Sequence, residues 1–252
     1  MKHAQRLAKA ATAFADLEEE WPQLAPETLV DKAAEAVIAQ AARGVILPGD
    51  RIVESDLARK LGVSRVPVRE ALRMLESRGI VVNEPYKGIR LREVTNRRVK
   101  DLIEARAALE TTAAHRAVDA GHHRAPWTRA IEAATAEMDE MAARDDAYGL
   151  AAADTAFHRA LCALADNSVI VDLWETLAQQ LTIIFGLATT NKSMPSVVEE
   201  HHELLAVLRT GDKQRIAKVL HTHITVMNLT VDYEAIVEAR RAQRAQLRLA
   251  TP

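Results

Sequence analysis

The chain has 252 residues, 48% hydrophobic and 27% charged, with a formal charge of −2. That balance excludes a disordered chain and allows one large domain or two ordinary ones. No run approaches the roughly 20 unbroken apolar residues of a membrane span, and near-neutral charge confines any nucleic-acid surface to a local patch.

Aromatics are only 4%, and the Ala, Leu, Val, Glu and Arg content favours helices. Residues 1–24 read as an amphipathic extension, closed by Trp21-Pro22, in which acidic residues follow a short apolar run too closely for a signal peptide. The pattern predicts a helix from Pro26 to about Arg43, with Leu29, Ala33, Ala36, Val37 and Ala41 on one face. Gly44 and Pro48-Gly49 break it. A short helix is expected from Glu54 to Leu61, ended by Gly62. Ser64 is a good N-cap for the next, which runs to about Arg78 with Gly79 beyond it. Two strand-prone pieces, Ile80 to Asn83 and Gly88 to Arg92, flank the turn EPYKG. Three helices and a hairpin within residues 25–93 make a winged helix-turn-helix.

From Thr95 to about Arg244 the periodicity is helical throughout. Breaks at 121–126, 144–146, 165–168, 191–195 and 211–212 divide it into about six helices, an all-α antiparallel bundle over residues 95–245. Ser196-Val-Val-Glu199 reads as a capping box, and Asp212 as an N-cap after Gly211. EARRAQRAQLRLATP reads as a basic helical tail. The single cysteine, Cys162, excludes an intrachain disulfide and points to a reducing cytoplasm. It reads as a small buried apolar side chain.

Between Leu57 and Arg92 stand nine basic residues against three acidic ones. LGVSRVPVRE places Arg65 and Arg69 four apart at a helix start, where the dipole end already disfavours cations. A helix-turn-helix presents that end to the major groove, where arginine clamps phosphate or reads guanine. Double-stranded DNA is therefore the anion expected there, with Lys87 and Gly88 at the wing tip close to the backbone.

The stretch ESDLARKLGVSRVPVREALRMLESRGIVV resembles the winged-helix domain of the GntR family of bacterial transcription regulators, whose pattern is L-A-x-x-L-G-V-S-R-x-P-V-R-E-A-L-x-x-L. The resemblance implies that Ser64, Arg65 and Arg69 contact operator DNA, with Lys87 and Gly88 on the wing. Val66 lies in the same contact segment, where family members often carry threonine. Ser55 replaces an arginine that some members carry.

In DTAFH, Asp154 and His158 share one helical face and could supply two ligands to one metal. More histidines follow in EEHHELL and LHTHI. His202 and His221 are expected to point elsewhere, because they neighbour better-placed histidines. One carboxylate with imidazoles suits zinc first, then nickel, manganese or iron, over calcium or magnesium.

These helices resemble the effector domain of the FadR-type subfamily, called FCD. Its hallmarks D-x-x-x-H, E-H-x-x-[IL] and a later histidine fall on Asp154, His158, Glu200-His201-His202-Glu203-Leu204 and His223. About six helices is also similar to the VanR-type branch. The resemblance implies a buried divalent metal on Asp154, His158, His201 and His223 that helps bind a small carboxylate. Arg106 in EARAALE matches a recurrent pocket arginine; by spacing alone it reads as a surface charge or an i,i+4 partner of Glu110. Asn167 in ADNSVI matches a recurrent asparagine, which a helix N-cap explains equally.

These readings predict a regulator, acting as a repressor, that binds a pseudo-palindromic operator as a homodimer under control of a carboxylate effector. Two alternatives share the metal site: a metal-responsive regulator and a metal-dependent enzyme.

Overall fold

The computed structural model describes residues 28–188 and 193–250; the extension at 1–24 and the expected start at Pro26 lie outside them. Helix α1, Leu29–Ala42, opens at Thr28, whose hydroxyl accepts from the Asp31 amide while the Asp31 carboxylate accepts from the Thr28 amide. Its Ala-rich face buries Ala33, Ala34, Val37, Ile38 and Ala41. Helix α2, Glu54–Leu61, ends at Gly62 in the left-handed region, as expected. Helix α3, Arg65–Ser77, follows Ser64, which is extended as an N-cap must be but makes no side-chain cap bond. Strands β1, Val81–Glu84, and β2, Gly88–Leu91, pair antiparallel with Val81 opposite Leu91 and Glu84 opposite Gly88. The turn between them holds Tyr86 at φ 64° and Gly88 at φ 78°. The result is the winged helix-turn-helix.

The bundle follows as α4, Asn96–Asp119, α5, Arg129–Ala143, α6, Ala147–Ala163, α7, Ser168–Ala188, and α8, Met194–Thr210. A sixth helical run comprises α9, Lys213–His221, a π-helical turn Thr222–Val226, and α10, Met227–Leu229. Asp212 caps α9 through the Gln214 and Arg215 amides, as its position after Gly211 predicts. The capping box expected at Ser196 is not the start of α8. Ser193 is the N-cap, accepting from the Ser196 amide, and Ser196 lies one turn inside the helix.

The basic tail is a packed helix, α11, Tyr233–Ala250. Tyr233 is buried in the bundle core, while Val237 is buried in the core of the winged domain. Farther along, Arg241 donates to the Pro48 carbonyl and pairs with Glu93 at 3.2 Å, and Arg244 bonds Asp50 at 2.8 Å. Helix α7 bridges the same two cores. Trp174, Leu181 and Ile184 are buried in the bundle, whereas Ile183 and Leu187 are buried with α1 and α3. Gly186 makes that contact close. A Cβ there would stand 2.7 Å from Ala42 Cβ and 2.8 Å from its carbonyl oxygen, so only glycine lets α7 approach the end of α1. Polar bonds add to it: Arg78 donates to Gln179 at 3.0 Å, and Gln180 donates to the Arg78 carbonyl at 3.0 Å. No helix among the described residues is long and apolar enough to cross a membrane.

Candidate DNA-reading face and metal centre

The sequence pattern places Arg65 and Arg69 one turn apart at the start of α3, and the structure exposes both. Each points its guanidinium at Glu54 on α2, at 3.3 Å and 3.2 Å. The Arg69 bond, joined by that of Arg65, holds the Glu54 carboxyl below the usual range despite some desolvation. Glu54 therefore supplies the negative partner that two arginines at a positive helix end require in the free protein. These are solvent-facing pairs of small net energy, so phosphate can displace them. Nothing in the linear pattern marked Glu54, which lies 11 and 15 residues away. Val66 is exposed at 66%, an apolar contact surface beside the arginines. Ser64 is also exposed. Lys87 and Gly88 sit at the hairpin turn, where Lys87 pairs with Glu84 at 3.1 Å. Tyr86, fully exposed next to them, was not singled out by sequence reasoning.

The second site is buried between α4, α6, α8 and the π turn. Asp154 and His158 share one face of α6, His201 comes from α8, and His223 from the π turn. One ligand atom of each lies within 4.8 Å of all the others. His201 Nε2 stands 3.0 Å from Asp154 Oδ1, and His158 Nε2 stands 3.2 Å from Nε2 of both His201 and His223. Donors about 2.1 Å from one ion and 90–110° apart lie roughly 3.0–3.4 Å from each other, so these spacings fit a shared cation.

The outer nitrogens decide which form each ring takes. Burial alone would raise the Glu110 carboxyl, but the Arg106 charge and the His158 bond outweigh it and keep Glu110 ionised. Glu110 can then only accept, so His158 Nδ1–H donates to it at 2.6 Å. Burial, reinforced by Arg106, pushes the His158 imidazolium down, leaving a neutral ring with its Nε2 lone pair turned inward. The Val197 carbonyl likewise accepts from His201 Nδ1–H at 2.7 Å, which leaves Nε2 as the nitrogen that faces inward. Burial pushes His223 down to about 3, so it too is neutral near pH 7. Its Nδ1 lies 3.3 Å from Glu200 Oε2 without an aligned hydrogen bond. Three imidazole nitrogens and the Asp154 carboxylate thus face one another across a small buried space, an arrangement a cation satisfies. A π turn at His223 is a usual device for re-aiming a helical side chain at such a site. Phe157 packs edge-on against His158 and His201 and fixes both rings.

The expected bystanders stay out. His202 pairs with Asp139 at 3.1 Å on the surface, and His221 is exposed. Cys162 is buried and free, its thiol pushed up by burial.

A cavity of about 360 Å³ opens beside the cluster, lined by Asp154, Glu200 and His223 at one end. Arg106 lines it too. It is a buried side chain rather than a surface charge, with Nε donating to Glu110 at 2.7 Å and the guanidinium over Trp174 and Phe185. Its Nη2 has no hydrogen-bond partner among the described residues. Asn167 is not among the cavity residues. Its Oδ1 accepts from the Val169 and Ile170 amides at the start of α7. Sequence reasoning took Glu110 only as a partner for Arg106 and missed that it orients His158, 48 residues on.

Comparison with known proteins assigns the two domains. The "Probable D-xylose utilization operon transcriptional repressor" of Paenarthrobacter nicotinovorans is 29% identical over 205 residues, covering 80% of this chain and 88% of that one. The gluconate operon transcriptional repressor of Bacillus subtilis (strain 168) is 24% identical over 184 residues, covering 71% and 74%. The solved structure of E. coli McbR/YncC superposes with a TM-score of 0.68 at 21% identity, over 85% of this chain and 99% of that one, which shows a shared fold. Residues 29–91 match the GntR family of bacterial regulatory proteins, and residues 101–226, half the chain, match the FCD domain. The chain therefore belongs to the GntR family of DNA-binding transcription regulators, with an FCD domain behind its winged helix.

Proposed function

We propose that this regulator is a cytoplasmic repressor whose hold on its operator is set by a small carboxylate bound at a metal centre. The observation that carries this reading is the convergence of three imidazole nitrogens and one carboxylate at the end of a cavity. Asp154, His158, His201 and His223 would hold the ion, and the donor set suits zinc first, with nickel, manganese or iron as alternatives. When bound, the metal supplies positive charge and an open coordination position for an anionic ligand. Arg106 adds a fixed cation on the same wall, held in place by Glu110.

Ser64, Arg65, Val66 and Arg69 would enter the major groove, with Lys87 and Gly88 of the wing against the backbone. Two copies would bind the half-sites of a pseudo-palindrome as a homodimer. The two ends communicate through shared helices. Phe185 and Ala188 of α7 line the cavity while Ile183 and Leu187 pack in the winged domain. Tyr233 of α11 lines the cavity while Arg241 and Arg244 hold residues 48 and 50. A ligand shifts this arrangement only by binding its two states unequally.

Selection of tight binders from a random duplex pool tests the DNA half of the reading. It should yield an inverted repeat with half-sites on one face of the duplex, and Arg69→Ala should no longer select it. Enrichment of a single unrepeated site would contradict the homodimer.

A further inference from the structure

Away from the metal end, the cavity offers little to a polar ligand. Leu150, Ala151, Phe185, Val197, Met227 and Val231 present carbon to it. The polar side chains on that side are already engaged. Asn228 Nδ2 donates to the carbonyls of His223 and Ile224 at 3.2 Å and 3.0 Å, and its Oδ1 accepts from the Tyr233 hydroxyl at 3.0 Å. The Thr230 hydroxyl donates to the Met227 carbonyl at 2.9 Å. Side-chain donor hydrogens on this side are thus committed within the wall. The remaining polar lining residues among those described, Arg106, Asp154, Glu200 and His223, all stand at the metal end.

A buried hydroxyl without a partner is strongly unfavourable, whereas apolar area removed from water is favourable. A sugar acid would carry several hydroxyls into a wall of methyl groups and rings. The space, about 360 Å³, holds roughly a dozen non-hydrogen atoms at about 30 Å³ per water-sized group.

We propose that the effector is a monocarboxylate with an apolar body, branched aliphatic or one aromatic ring, of roughly a dozen non-hydrogen atoms, and not a polyhydroxy acid. This rests on the metal-anchored carboxylate reading above and narrows it.

Isothermal titration of the full-length, metal-loaded protein tests it with five probes: 4-methylpentanoate, phenylacetate, phenylacetamide, gluconate and xylonate. At least one apolar acid should bind ten-fold or more tighter than either sugar acid, with a negative heat-capacity change from apolar burial. Phenylacetamide should bind at least ten-fold more weakly than phenylacetate. A sugar acid that binds tighter than both apolar acids would overturn the apolar class and leave the carboxylate anchor standing. An amide as tight as its acid would remove the anchor on which the proposal rests. No binding by any of the acids would overturn both.

Discussion

Glu110 and His158, both fully buried, share a hydrogen bond of 2.6 Å, and that bond determines which nitrogen of the ring faces His201 and His223. Arg106 holds the other oxygen of the same carboxylate. Glu110 thus serves two positions at once, His158 in the four-residue cluster and Arg106 on the cavity wall. Glu110→Gln keeps the shape but removes the charge that balances Arg106. It is expected to weaken metal affinity by about 10–100-fold and to lower stability by roughly 3 kcal/mol, as for other broken buried pairs. Competition with a chelating indicator and a urea melt measure the two effects. Wild-type metal affinity in the variant would show that Glu110 does not orient His158.

His201→Ala removes a ligand without touching the winged domain. Metal content measured by elemental analysis should fall from about one ion per chain toward zero. Affinity for a selected duplex should stay within a factor of three in the absence of effector. Retained stoichiometry would show that the ligand set is wrong.

Arg65→Ala or Arg69→Ala is expected to weaken operator binding by about 1–3 kcal/mol if the side chain reaches a base. Neither change should alter thermal stability, since both side chains are exposed and their bonds to Glu54 are solvent-facing. Anisotropy titrations at fixed salt decide it, and unchanged affinity for both variants would remove α3 from the groove.

Gly186→Ala places a methyl group against Ala42, with its carbonyl oxygen 2.8 Å away. Backbone cannot give way as a flexible side chain can, so α7 must shift from α1. A loss of about 1–3 kcal/mol is expected, together with a weaker effect of the carboxylate on operator affinity. A variant with full stability would mean that the close approach of these helices does not matter.

The Asp50–Arg244 pair gives a pH-dependent check on the α11 contact. Burial alone would raise the Asp50 carboxyl, but the Arg244 bond, the Leu47 amide and nearby arginine charge outweigh it. Its folded value therefore lies below the ordinary 3.8. A depressed carboxylate contributes stability that is fully present above its unfolded value and is lost as pH falls through the folded one. The difference in melting temperature between wild type and Arg244→Ala should thus be largest near neutral pH and shrink as pH drops below 3.8. A difference that grows on acidification would contradict the pairing.

The winged helix was legible because its signals are local. Gly62 ends α2, Ser64 opens α3, and the turn EPYKG closes the hairpin within a few residues of the groups they organise. The four candidate ligand positions were read from the resemblance to the FCD pattern, beside a helical face that Asp154 and His158 share, and the structure brings those four residues together. What the sequence hid depends on distant partners. Glu54 is an ordinary helix-start acid until α3 brings two arginines to it. The tail around Arg241 and Arg244 reads as solvated charge until residues 48 and 50, some 190 positions earlier, come beside it. The start of α8 was misplaced by three residues because Ser193 and Ser196 are equally good caps in sequence.

The most direct measurement is the melting temperature of the purified protein with phenylacetate or 4-methylpentanoate, metal-loaded and again after chelation. A ligand that binds only the native state raises the midpoint by mass action. The account predicts a rise with the metal-loaded protein that disappears on chelation and returns when zinc is restored. A rise of equal size in the chelated protein would contradict a carboxylate held at the Asp154, His158, His201 and His223 centre.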